Sequence, residues 1–303
     1  TKRILQIGSQ QRSANPWPHF KKACELVRDG RIGQLREIYI GLPGDPGGEE
    51  EPEMPIPKNL NYDFWLGSTP NVYYTEKRVH PQNDYSRPGW LRCEQFGSGM
   101  ITGWGAHHID IAHWGMGTEY SGPTEIEATA EFPKSGLWNV HGRFDAKAKY
   151  ANGVTMILGG DNPNGVKFVG SDGWIFVSRG SGVTASDPTA SDPNKPRALD
   201  ASDLKILSSV IGANETKLYH SDDQHGNWLE CIKTRKAPIA SAEIGHRSTS
   251  ACLLVHIAMK LNRKLYWNPD QERFTNDDEA NAMLSRPQRK PYGTEYVNQK
   301  IKG

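Results

Sequence analysis

Four cysteines in 303 residues, Cys24, Cys93, Cys231 and Cys252, lie too far apart to require a disulfide framework or to form a metal-binding pattern. Neither a CxxC nor an HExxH motif occurs, which removes the strongest sequence signals for zinc. Charge of one sign is lacking as well. Lys+Arg 36 against Asp+Glu 35 leaves a net of +1, so the chain carries no electrostatic footprint for nucleic acid and no polybasic patch for a membrane surface. No apolar run approaches the roughly 20 residues of a membrane span. A phosphate-cradling turn is missing too: Gly180 to Ala185 matches GxGxxA after the strand-like WIFVSR, but Pro188, Pro193 and Pro196 leave no room for the helix such a turn must open. The first residue is Thr1, not Met, inside what reads as a strand; we take the N-terminus as cut, and any targeting segment is lost with it. These absences leave a small molecule as the expected partner.

What is present concentrates in Gly97 to Trp114, GSGMITGWGAHHIDIAHW. Gly97, Gly99, Gly103 and Gly105 cost conformational entropy unless the backbone passes close to something or adopts positive φ. From about Gly105 the segment reads as a helix, with His107, Asp110, Ile111 and Trp114 on one side and His108, Ala112 and Gly115 elsewhere. One face thus offers a histidine able to act as general acid or base, a carboxylate to orient it, and an aromatic wall. A metal held by His107, Asp110 and His113 is the weaker reading, because the three spread over about 120° of the helix.

Along the chain, residues 3 to 9 read as a short strand and 19 to 28 as a helix with Phe20, Cys24 and Val27 on one face, closed by Gly30 and Gly33. A strand follows at 35 to 40, then a Gly-, Pro- and Glu-rich loop from 41 to 57. After the glycine-rich helix, strand signals at 125 to 132, 137 to 144, 147 to 150, 154 to 158, 165 to 170 and 174 to 178 predict a mostly antiparallel sheet of about six strands. Asn152-Gly153 and Asp172-Gly173 are its hairpin turns. Residues 180 to 196 read as a mobile loop, and helices at 223 to 234 and 243 to 261 close the domain. Glu243 and Arg247, spaced i,i+4, form an expected surface ion pair.

Taken in order, IGSQQRS (7 to 13), LVRDGRIGQLREI (26 to 38), YDFWLG (62 to 67), the glycine-rich segment, KFVGSDGWIFVSRG (167 to 180) and HGNWLECIKTRKAPIASAEIGHRSTSACLL (225 to 254) resemble the Gfo/Idh/MocA group of NAD(P)-dependent sugar oxidoreductases. The resemblance implies an α/β chain: a remnant of the dinucleotide-binding Rossmann domain at 1–33, its last strand and helix, then a substrate and oligomerisation domain at 34–303 with an open, mostly antiparallel sheet flanked by helices. Most of the cofactor domain would be missing, about a hundred residues by the size of βαβ units, and these residues alone should be inactive.

For the site, the resemblance implies His107 as proton acceptor or relay with Asp110 beside it, and Tyr85, Arg87, Trp90, Trp104 and His108 as carbohydrate contacts. Gln10, Arg12, His225 and Asn227 would lie toward NAD or NADP. Many members carry an aspartate four residues before the histidine; Gly103 stands there in this chain. A homo-oligomer through the open sheet face is implied, and no nucleic acid or membrane partner. Two alternatives stay open: an NAD-dependent glycoside hydrolase working by transient oxidation and elimination, and a non-redox sugar-binding or oligomerisation module or metal-dependent lyase.

Overall fold

In a computed structural model of the chain, residues 3–80, 89–180 and 198–296 are described. The helices are α1 (His19–Arg28), α2 (Tyr62–Leu66), α3 (Met100–Gly103), α4 (Gly105–Met116), α5 (Leu204–Ser208), α6 (Gln224–Thr234), α7 (Ala242–Leu261) and α8 (Asp278–Ala282). The strands are β1 (Leu35–Gly41), β2 (Glu125–Ala130), β3 (Phe144–Lys149), β4 (Thr155–Gly159), β5 (Gly165–Gly170), β6 (Trp174–Val177), β7 (Leu199–Ala201), β8 (Leu265–Asn268) and β9 (Arg273–Phe274). They form one open sheet in the order β7-β6-β5-β1-β4-β3-β2-β8-β9. Every neighbouring pair is antiparallel except β1 with β4.

Alternation fixes which face is covered. In β3, Phe144, Ala146 and Ala148 are buried while Asp145, Lys147 and Lys149 are exposed, so one side of the sheet takes helices and the other carries charge. On the covered side α7 lies over β2 and β3, α4 over β1 and β5, and α1 beside α4 and β6. Phe20, Cys24 and Leu26 of α1 belong to the same hydrophobic core as the sheet, so this helix is integral to it.

The two hairpins form at the predicted turns: Gly153 has φ 86 between β3 and β4, and Gly170 N–H bonds Gly173 O at 2.9 Å between β5 and β6. Four expectations are corrected. Among the described residues the sheet has nine strands, not about six: β1 joins it, and β7, β8 and β9, two to four residues long, carry no readable period. Residues 137 to 143 are not a strand: Leu137 N–H bonds Glu49 O at 3.0 Å and Asn139 N–H bonds Arg92 O at 3.0 Å, so their backbone pairs with loops. Residues 3 to 9 are not a strand either, since a ladder needs a neighbour and this segment has only the Gln6–Ser241 bridge. Residues 147 to 150 do not form a separate strand but continue the one begun at Phe144. The segment read as a mobile loop, 180 to 196, lies outside the described residues beyond Gly180.

Candidate active site

Two glycines of the segment serve the protein's own packing, and a Cβ at Gly97 would stand 2.9 Å from Leu91 O. Gly99 has φ 69, and a Cβ there would stand 2.4 Å from Asp45 Oδ2; that oxygen accepts the Met100 N–H at 2.6 Å, at the start of α3. A Cβ at Gly115 would lie 2.5 Å from Phe168 Cε1, so this glycine lets α4 sit directly on β5. α4 ends at Gly117, in the left-handed conformation, with its N–H bonded to His113 O.

The face reading of this helix fails for a physical reason. His108 through Gly115 are all buried, because α1, α7 and the sheet surround α4 on several sides. His107, near its N-terminal end, is partly exposed. Its ring meets Trp104 edge-on, centroids 6.2 Å apart. Burial above all, then the neighbouring Arg179 and His108, push its pKa down to about 3, so the imidazole is neutral near physiological pH. His108 stacks on Trp104 at 5.2 Å and shares a 2.8 Å hydrogen bond with Asn164 Oδ1. Arg179, just past β6, lies between two indoles: its guanidinium carbon is 4.4 Å from the Trp17 ring centroid and 4.5 Å from that of Trp104. His19 Nε2 approaches Ser178 O at 2.7 Å and fixes the Trp17 turn against the same strand end.

Asp110 belongs to a different arrangement. Arg12 donates from Nε to Asp110 Oδ2 at 2.7 Å and from Nη2 to Oδ1 at 2.8 Å, and from Nη1 to Glu119 at 3.1 Å. Arg12 also covers the Trp114 ring at 4.8 Å, and both members of the Arg12–Asp110 pair are about 2 % exposed or less. Where a pairing of Asp110 with His107 was expected, both carboxylate oxygens are instead engaged by the Arg12 fork. Arg12, expected toward the cofactor, is a buried link between the Gln10–Arg12 turn and α4.

His113 shares a 2.7 Å hydrogen bond with Tyr150 Oη, so His107, Asp110 and His113 have three separate surroundings. Among the described residues no group of three or more His, Cys, Asp and Glu is placed to hold a metal. Trp90 is partly exposed in the Gly89–Arg92 turn, and Gln10 is partly exposed in the turn that also holds Arg12. Tyr85 and Arg87 lie outside the described residues. His225 is exposed on α6, whereas the Asn227 amide donates to Tyr219 Oη at 2.9 Å and accepts from Ile239 N–H at 3.0 Å, bracing α6. The i,i+4 pair forms as expected, Arg247 Nε to Glu243 Oε1 at 2.7 Å. Among the described residues no strand, glycine turn and helix stand together in the order of a dinucleotide-binding turn. Sequence reasoning missed Trp17, His19, Asn164 and Arg179, which come from separate turns and strand ends with no shared spacing.

A family model described as an oxidoreductase family, C-terminal alpha/beta domain, matches residues 46–196 and 205–294. No curated protein matches the sequence. Among solved structures, the aldose-aldose oxidoreductase of Caulobacter crescentus, complexed with glycerol, is similar at 17% identity and TM-score 0.50, over 87% of this chain and 64% of that one. The WlbA dehydrogenase of Bordetella pertussis, in complex with NADH and UDP-GlcNAcA, is similar at 13% identity and TM-score 0.51, over 88% of this chain and 64% of that one. At such identities the likeness is one of fold. The chain spans a little under two thirds of the length of these structures.

Proposed function

Since the chain belongs to the Gfo/Idh/MocA oxidoreductase family, matched through its C-terminal α/β domain, we propose that it forms the substrate side of an NAD(P)-dependent oxidoreductase acting on a sugar or cyclitol hydroxyl. In this reading the dinucleotide is held by a domain outside these 303 residues, and it supplies the hydride acceptor. His107 takes the proton of the reacting hydroxyl.

The observation that carries the reading is the state of that imidazole. It sits partly exposed at the start of α4 against the Trp104 ring, in surroundings that favour its neutral form. Burial and the Arg179 cation disfavour its protonated form. Trp104 and His108 form the wall behind it, Trp90 contributes a partly exposed aromatic surface nearby in sequence, and Gln10 and His225 remain the groups of this chain offered toward the cofactor. Asp110 has no step in the reaction; it holds the helix in place.

Replacing His107 by glutamine in the protein with its cofactor domain is expected to lower kcat by about 10²–10⁴-fold. Melting temperature and nicotinamide affinity should stay near wild type; undiminished turnover would remove His107 from the reaction. Self-association is assigned to the open sheet face, where Glu125 pairs with Lys149 at 3.6 Å and Lys167 covers Trp174 at 4.4 Å. Sedimentation that finds a monomer unaffected by charge reversal at Lys147 would withdraw that assignment.

A further inference from the structure

Three chain segments far apart in sequence meet at Arg179. Trp17 follows the Gln10–Arg12 turn, Trp104 immediately precedes the helix that carries His107, and Arg179 stands just past β6. The guanidinium carbon lies over both indoles, 4.4 Å from the Trp17 ring centroid and 4.5 Å from that of Trp104, a double cation–π contact. Trp104 is 3 % exposed and carries His107 on one edge and His108 on one face. His19, bound to Ser178 O one residue before Arg179, keeps the Trp17 side of the stack from sliding along β6. Any movement of Arg179 must therefore move the surface against which the His107 ring rests.

Resting on the reading of His107 as proton relay, we propose that Arg179 is its positioning residue: clamped between Trp17 and Trp104, it fixes the indole that supports the imidazole and keeps a permanent cation beside it. The groups facing His107 agree with this role. From the end of β6 it meets Arg179 and from its own helix His108, and both disfavour a proton resting on the ring. His19, across the stack, is also held toward the neutral form by burial. A lysine at 179 would keep the charge and lose the flat stack; a glutamine would keep a planar end and lose the charge.

The test uses the full-length protein and the substitutions Arg179→Lys, Arg179→Gln and Arg179→Ala. The first readout needs no substrate. Diethyl pyrocarbonate modifies neutral imidazoles, and the rate at His107 near neutral pH, read by peptide mass spectrometry, is compared with the exposed His225 as internal reference. Loss of the clamp is expected to speed His107 modification several-fold in Arg179→Ala, less in Arg179→Lys, with His225 unchanged. The second readout is kinetic: Arg179→Gln and Arg179→Ala should lose on the order of 10–100-fold in kcat while KM changes by about twofold or less, and Arg179→Lys should recover part of the loss. Unchanged His107 reactivity together with unchanged kcat in Arg179→Ala overturns the proposal. So does a loss that appears only as a lower melting temperature. Full activity of His107→Gln would instead remove the relay reading while leaving the effect of Arg179 on the ring intact, so the two failures are distinguishable.

Discussion

Asp110→Ala is expected to destabilise the protein by about 3–5 kcal/mol, the range for removing one partner of a buried ion pair. The carboxylate receives two hydrogen bonds from Arg12, at 2.7 and 2.8 Å, in surroundings that exclude water from both groups. Without it the Arg12 guanidinium stays buried with Glu119 as its remaining ion-pair partner, itself shared with Arg28 at 3.6 Å. Arg12→Met should cost a similar amount, and the double substitution Arg12→Met/Asp110→Ala should cost clearly less than the sum, because neither member of the pair is then left buried without the other. Urea unfolding of the four proteins measures this directly. An Asp110→Ala protein that unfolds like wild type but has lost activity would return Asp110 to the reaction and refute the structural role.

The second large effect is acid destabilisation. Burial pushes His107 and His113 down to about 3 and His141 down to about 4, all below the ordinary histidine value. In the unfolded chain these imidazoles protonate near pH 6.5, so between that pH and their folded values the unfolded state binds more protons and stability falls as pH falls. Each contributes a loss of about 1.4 kcal/mol per pH unit in that window, and above it the contribution is complete. Three such groups remove several kcal/mol by about pH 5, a large part of the stability of an ordinary domain. Glu94 acts lower on the scale: His256 and Lys260 hold it down to about 2, against its burial, so its stabilisation is lost only as pH falls below the usual carboxylate range. Denaturant midpoints measured at about pH 7, 6 and 5 should drop steeply across the series, by the linkage above. A flat series would show that the three rings take up protons in the folded protein as readily as in the unfolded chain.

How much of this was legible depends on how local the cause was. α1 and the hairpins at Gly153 and Gly173 could be read because amphipathic spacing and turn chemistry act within a few residues. The Glu243–Arg247 pair was readable for the same reason. α4 was located correctly but misread in its faces, since a helix enclosed by α1, α7 and the sheet has no polar side to reveal its orientation. The partner of Asp110 is 98 residues away, and the Arg179 stack joins residues from three elements; spacing carries no signal for either. His107 itself stands out by its place in the glycine-rich segment, although Gly97 and Gly99 there fit Leu91 and Asp45.

The central claim is that His107 moves the proton of an alcohol oxidised by a nicotinamide. Its most direct test is single-turnover reduction of bound NAD⁺ or NADP⁺ in the full-length protein, followed by nicotinamide absorbance with a panel of aldoses, glycosides and cyclitols, for wild type and His107→Gln. The account predicts rapid reduction by wild type with at least one polyol and, in the variant, an unchanged cofactor affinity with reduction slowed by about 10²-fold or more. Equal rates in the two proteins, or no nicotinamide reduction by any member of the panel, would contradict it.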